Sequence, residues 1–248
     1  MIQSLRDPLL IPYYVTSAFY LVIYTLYLPP DRNDVYGAVL KPLPIWYLAI
    51  YSHGKHPSRR RDISSTSSHT RPPTPRRQLS ATVQEQSCGQ DEKFYSYFRR
   101  GLLLSSLGDI ALEFKGYFQL GLLLFGFAQL LYMMALRLCY SRSRWAWLVV
   151  PVNLLAYVIL LTGDIQGVDK LLVAVYSVLI HAMLFFAVAR YESRSSSQAA
   201  FSVAGAASFV ISDFLIGYSR WCGYIPHAHH LIMLTYYTAQ LFLTMGLP

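Results

Sequence analysis

The sequence predicts an all-α, polytopic membrane bundle of about eight transmembrane helices with one long disordered cytoplasmic loop. Three observations carry that prediction. Of the 248 residues, 54% are apolar and only 14% charged, and mean hydropathy is positive at +0.33, so an ordinary soluble surface cannot be built from this composition. The apolar residues fall in runs close to the ~20 residues that cross a hydrocarbon core as a helix. Connections between most runs are short, which leaves no room for a separate soluble domain, and the chain reads as a single transmembrane domain over 1–248.

Taken in order, the runs place spans near 8–28, 36–52, 98–114, 117–138, 145–162, 170–190, 199–218 and 229–247. The first lacks the basic n-region and small-residue cleavage site of a removable leader, so it is expected to be retained. The second and third are short and polar. Pro42 and Pro44 lie in the second, where neighbouring helices must satisfy the carbonyls that proline frees. Residues 53–97, rich in Ser, Thr, Pro, His and Arg and containing Arg59-Arg60-Arg61, read as a disordered basic loop, a solvated linker or a site for phosphorylation and anionic lipid. No internal repeat is visible.

The formal charge of +8 does not point to nucleic acid, because the basic residues sit between apolar runs and form no face with a fold of its own. They orient the bundle instead. With eight spans, 16 of the 21 Lys and Arg residues fall on the side of the 53–97 loop, and only Arg32, Lys41, Lys115, Lys170 and Arg220 on the other. Both termini and the loop are therefore expected in the cytoplasm. Cys88, Cys139 and Cys222 form no CxxC pair and carry no redox information.

An acidic residue inside a span costs at least ~2.5 kcal/mol on insertion scales, so it must face a partner or a wet cavity. Asp109, in LLLSSLGDIALEF, has Ser105 and Ser106 behind it and Glu113 ahead on one helical stripe. Asp213, in AGAASFVISDFLIGY, shares its face with the small residues Ala206 and Gly217, which permit close helix packing. Lys41 begins the second span, and Tyr236, Tyr237 and Gln240 lie in LTYYTAQLFL of the last. Measured from the span ends, Lys41, Asp109 and Asp213 lie roughly 7 Å below the non-cytoplasmic boundary and Tyr236 roughly 10 Å. Four polar groups from four helices thus share one layer. The bland alternatives are helix-locking hydrogen bonds, or a structural Asp–Lys pair. Glu113 reads as an interfacial charge, His181 and Asn153 as bundle contacts, and Tyr13, Tyr20, Tyr24 and Tyr27 as core packing at helical spacing.

No GxSxG elbow and no HExxH are present. The His227, His229, His230 cluster lacks a carboxylate or thiolate at ligand spacing and reads as solvent-facing, so neither metal nor cofactor is expected.

In this order, the KPLP segment, LLLSSLGDIALEF, GYFQLGLLLFGFAQLLYMMAL, YSVLIHAML, AGAASFVISDFLIGYSRW and HLIMLTYYTAQLFL resemble the YhhN family of transmembrane lysoplasmalogenases. The resemblance covers nearly the whole chain outside 53–97, and its specificity rests on the combination of KP, GD, SD and YxxxQ. It implies eight helices, an endoplasmic-reticulum membrane, and hydrolysis of the alkenyl ether of lysoplasmenylcholine or lysoplasmenylethanolamine to a fatty aldehyde and a glycerophospho-base. It implies Asp109 and Asp213 as the catalytic pair, with Lys41, Tyr236, Tyr237 and Gln240 as substrate-binding or electrostatic support. The implied partners are an alkenyl lysophospholipid, membrane lipid and water. Two departures stand out: Gln129 occupies a position where many members have histidine, and the 53–97 insertion is long. A vinyl ether breaks by carbon protonation, so the expected mechanism keeps one Asp protonated by burial as general acid and the other ionised beside Lys41. Readings from other classes are a proton-coupled lipid or ion transporter and a zinc-dependent membrane lipid amidase.

Overall fold

Proline positions set the first half of the architecture. The computed structural model of the chain describes residues 5–24, 35–55, 75–138 and 143–248. The first apolar run forms α1 (Ile11–Ala18), entered through a 3₁₀ turn, Pro8–Leu10, and left through a π-helical turn, Phe19–Tyr24. Proline is tolerated in such a first turn because its missing N–H would find no helical acceptor there. Asp7 caps the turn, accepting from the Leu9 amide at 3.0 Å. The Lys55 ammonium, 3.0 Å from the same carboxyl, holds Asp7 below the usual carboxylate range and ties the start of the first run to the end of the second.

That second run is broken into α2 (Val35–Leu40) and α3 (Leu43–Gly54) at Lys41-Pro42. The Ile45 amide bonds back to the Pro42 carbonyl at 3.0 Å, so the Lys41 carbonyl is released from the helical ladder. A side chain from another helix must satisfy it, as described below.

The next helix, α4 (Pro75–Glu113), corrects the reading of 53–97 as disordered over its second half. Residues 75–97 supply Gln78, Leu79, Ala81, Gln84, Glu85, Gln86, Gln90, Glu92 and Lys93, all favourable or tolerable in a helix interior. Prolonging a helix already nucleated in the apolar stretch costs little, since each added residue gains a hydrogen bond without a new nucleus. Residues 56–74, with Arg59-Arg60-Arg61, lie outside the described residues, as does Tyr27.

A tight turn with Gly116 at φ +90°, a conformation that favours glycine, leads into α5 (Phe118–Arg137). After a 3₁₀ turn, Trp145–Leu148, follow α6 (Val149–Leu161), α7 (Val168–Ser193), α8 (Ser197–Trp221) and α9 (Ala228–Met245). Ser196 caps α8, accepting from the Ala199 amide at 3.1 Å.

Packing closes a ring in the order α3, α4, α5, α7, α8, α9 and back to α3, with α1 against α3 and α6 against α7. Its polarity is inverted relative to a soluble bundle. Leu154, Leu155, Val158, Leu171, Val175 and Val178 face outward, while Asp109, Lys41, Gln129, Gln240 and His181 are buried. Apolar contact outside and polar groups inside suit a lipid surround. The helices α5, α7 and α8 are each long and apolar enough to cross a bilayer, and Pro8–Val22 and Trp145–Leu161 are shorter apolar helices. The chain is an all-α, multi-pass membrane protein.

Small residues set how close α4 and α5 come. A Cβ on Gly108 would stand 2.7 Å from the Phe125 ring, and one on Gly101 would meet Tyr132. Two glycines seven residues apart on α4 therefore seat two aromatic rings seven apart on α5. Gly108→Ala is expected to lower stability by about 1–3 kcal/mol, the usual cost of overpacking. Thermal unfolding in detergent measures it, and an unchanged unfolding temperature would show that Phe125 yields freely.

Candidate active site

The interior of the ring holds two polar clusters, divided by aromatic rings. The first grows from the proline break. With the Lys41 carbonyl released, the Tyr237 hydroxyl of α9 donates to it at 2.9 Å, and the Tyr237 carbonyl in turn accepts from the Tyr13 hydroxyl of α1 at 2.6 Å. Tyr20 packs edge-on against Tyr237 at 6.0 Å. Tyr13 and Tyr20 are thus core residues that brace the break.

Lys41, 7% exposed, points its ammonium at α4. It lies 3.0 Å from Glu113 Oε1 and 3.9 Å from Asp109 Oδ1. The other oxygen of Asp109 accepts from the Tyr236 hydroxyl at 2.7 Å. One ammonium from the break between α2 and α3, two carboxyl groups from α4 and a phenol from α9 thus form one network, buried at Lys41, Asp109 and Tyr236 and partly exposed at Glu113, and a buried ion pair must be hydrogen-bonded to be tolerated. Gln240, one turn from Tyr236, accepts from the Tyr132 hydroxyl of α5 at 2.9 Å and lies beside the Tyr236 hydroxyl. Lys41, Asp109, Tyr236, Tyr237 and Gln240 therefore come together as neighbours. Glu113 joins them as the nearer partner of Lys41.

Asp213 stands apart from this network. Its Oδ2 accepts a short hydrogen bond from the Tyr176 hydroxyl of α7, and no cation pairs with it among the described residues. Between Asp213 and the first cluster stands Phe125, which lines the Asp213 cleft and packs on Phe209 and Tyr236. Phe125 and Phe209 meet edge to face at 6.3 Å, and each meets Tyr236, at 5.9 and 5.5 Å. No hydrogen bond or ion pair joins Asp213 to the Lys41–Asp109 network among the described residues.

Asp213 lines a cleft of about 70 Å³ between α5, α6, α7 and α8, walled by Phe118, Leu122, Phe125, Leu160, Phe214 and Trp221. That volume admits a few waters, or a stretch of hydrocarbon chain. Tyr176, Ser177 and His181 supply its other polar lining. Leu112 and Phe118 also border a polar hollow at the α4–α5 turn, lined by Lys115, Gln119, Asp169 and Arg220, and the Arg220 guanidinium stacks 3.9 Å over Phe118. Arg220 is two turns from Asp213 on nearly the same face of α8, roughly 10 Å along the axis. An apolar slot with a carboxyl inside and cations in the neighbouring hollow has the polarity of a single-chain amphiphile.

Three features escaped the sequence. Tyr176 carries no spacing that separates it from the other 19 tyrosines. Gln129 is completely buried with neither amide atom in hydrogen-bonding geometry, although it abuts the Tyr176 hydroxyl. His181, read as a bundle contact, faces the cleft. Among the described residues no three His, Cys, Asp or Glu side chains are grouped to hold a metal ion, and His229 meets the Tyr20 hydroxyl at 3.4 Å.

A helical membrane bundle with two interior carboxyls, one of them in an apolar cleft, defines an intramembrane site open to hydrocarbon. The chain is a member of the YhhN family, which it matches over residues 79–247. It is 28% identical to human lysoplasmalogenase TMEM86A over 97% of this chain and 89% of the relative. Bovine lysoplasmalogenase TMEM86A is 26% identical over the same shares, and human lysoplasmalogenase TMEM86B is 26% identical over 91% and 81%. No solved structure matches the chain.

Proposed function

We propose that this protein is a lysoplasmalogenase, hydrolysing the vinyl ether of an alkenyl lysophospholipid to a fatty aldehyde and the glycerophospho-base. One observation carries the reading: Asp213 stands in a cleft walled largely by apolar side chains while a second carboxyl, Asp109, is held in an ion-paired network. The family membership and the activity named for its relatives support it.

The chemistry divides between the two clusters. Asp213, whose hydrogen-bond partner is a hydroxyl, is the general acid and delivers its proton to the alkene carbon distal to oxygen. The resulting oxocarbenium ion forms beside the network of Lys41, Glu113 and Asp109, whose one positive and two negative charges leave a net negative field fixed in advance of the reaction. Tyr236 holds Asp109 on the side facing the separating rings, and Lys41 orients both acids. Water adds to the carbon next to oxygen. The hemiacetal then collapses to aldehyde and a free glycerol hydroxyl. The alkenyl chain occupies the slot between Phe118, Leu160 and Phe214, and the phosphate lies toward Lys115 and Arg220.

The test is release of aldehyde from alkenyl lysophospholipid by purified protein in detergent, where no second compartment exists. A transporter would release none. A zinc amidase would be inhibited by chelators, which should leave aldehyde release untouched. The protein is proposed to reside in the endoplasmic reticulum with both termini and the 53–97 segment cytoplasmic, following the bias of basic residues. A tag inserted near residue 70 should accordingly be cleaved by protease added outside sealed microsomes. Protection of the tag would reverse the orientation.

A further inference from the structure

The cleft contains a polar group that the mechanism above leaves without work. His181, on α7, is 5% exposed. Its Nδ1 lies 2.9 Å from the carbonyl of Ser177, one turn back on the same helix. A carbonyl only accepts, so Nδ1 carries the hydrogen and the neutral ring presents Nε2 as a bare acceptor. Nε2 lies on the far side of the ring from that anchor. It is buried and has no hydrogen-bond partner among the described residues. An orphaned acceptor in the interior loses the bond it would make in water, and such a group calls for a partner supplied from outside the protein.

The place of the ring says what that partner is. His181 lines the Asp213 cleft, and on its other side borders a groove formed largely by Trp147, Val149, Val150, Val178 and Phe185. The groove offers hydrocarbon. The cleft offers a carboxyl, a phenol and room for water. Ser177, whose carbonyl anchors the ring, is itself fixed by a short bond from its hydroxyl to Asn153 Oδ1, so α6 and α7 together set the orientation of the imidazole. The arrangement of a tethered Nδ1–H and an open Nε2 is the one a general base requires.

Resting on the lysoplasmalogenase reading, we infer that His181 is the general base of the reaction, accepting through Nε2 a proton from the water that attacks the oxocarbenium carbon. The balance closes with the two groups alone. Asp213 gives its proton to the distal alkene carbon and becomes a carboxylate. Water forms the new C–O bond, and its proton passes to Nε2, giving imidazolium and a neutral hemiacetal. On collapse, the hemiacetal hydroxyl proton returns to Asp213, the bond between the former alkenyl carbon and the glycerol oxygen breaks, and the imidazolium proton passes to that oxygen. Both side chains end as they began, with one water consumed.

His181→Asn is the informative substitution, since its amide nitrogen can replace Nδ1 on the Ser177 carbonyl while nothing replaces Nε2. Purified folded variant should release aldehyde about 100-fold more slowly, at the lower end of what proton transfer contributes, with KM within about twofold of wild type, as expected when only a step after binding is affected. Sodium azide distinguishes a missing base from a damaged fold. Azide attacks the cation without a proton to lose, forming an azido ether that solvolyses to the same aldehyde, so it should restore turnover at least about tenfold in His181→Asn and not in Asp213→Asn. If the Asn variant does not fold, His181→Gln serves instead: its amide reaches the place of Nε2 but cannot take up a proton, so the same loss and the same azide relief are expected. Wild-type turnover by either folded variant, or a loss that azide leaves unrelieved, overturns the assignment of His181. Absence of aldehyde from the wild type would instead overturn the lysoplasmalogenase reading beneath it.

Discussion

Asp213→Asn is expected to reduce aldehyde release by about 10²–10⁴-fold, the range that a positioned acid contributes, while leaving a folded, extractable protein. The amide keeps the shape of the carboxyl, and its oxygen can still accept from the Tyr176 hydroxyl that now bonds Asp213. What it cannot do is give a proton strong enough to protonate an alkene carbon. Asp109→Asn is expected to have a comparable effect by a different route. The Tyr236 bond at 2.7 Å survives on the amide oxygen, but Lys41 keeps only Glu113 as a negative partner, and the network beside the forming cation loses its net negative charge. Lys41→Met should hurt less, because it removes an orienting charge and not one that reacts. Single-turnover assays on detergent-purified variants, matched for thermal unfolding, measure all three. Retention of more than about a tenth of the wild-type rate by either Asp variant would return that residue to a structural role.

The contrast between the two aspartates also shows how far sequence periodicity reaches. Depth along a span follows from rise per residue, and Lys41, Asp109 and Tyr236, which it groups, are in contact in the structure. Depth is one coordinate of three. It carries no information on the angle about the bundle, and Asp213 proves to lie across Phe125 and Phe209 from the other three. Glu113 shows the same limit: its place at the end of a span does not indicate that the break at Pro42 sets Lys41 3.0 Å from it. The proline itself was legible, but which carbonyl it would free, and that Tyr237 would satisfy it, depended on packing between helices distant in sequence. Tyr176 and His181 could not be told from core residues by pattern, since the distinction lies in a hydrogen bond made or left unmade. The composition of 53–97 taken as a whole reads as a loop, whereas 75–97 continue α4, since adding residues to a formed helix needs no new nucleus.

The second large effect is on the substrate. An alkyl ether lysolipid differs from the alkenyl form by one double bond, so it should fill the cleft between Phe118, Leu160 and Phe214 with nearly the same apolar contact and bind with similar affinity. It is expected to show no turnover, because a saturated carbon offers Asp213 nothing to protonate and no oxocarbenium ion can form without that step. The ester lysolipid should also be poor. Its cleavage needs a nucleophile and donors for an oxyanion, and the described polar lining of the cleft consists of a carboxyl, a phenol, a serine bonded to Asn153 and a histidine bonded to its own helix. Competition between alkyl and alkenyl lipids separates binding from chemistry, since the alkyl form should inhibit with a constant near the alkenyl KM. Oxygen-18 water locates the bond that breaks. Attack at the alkenyl carbon leaves the original oxygen on glycerol, so the glycerophospho product should carry no label in its freed hydroxyl; the aldehyde exchanges with water and is uninformative. Label in that hydroxyl, or brisk cleavage of the saturated ether, would mean that the bond is cut from the glycerol side, and would remove the protonation role assigned to Asp213.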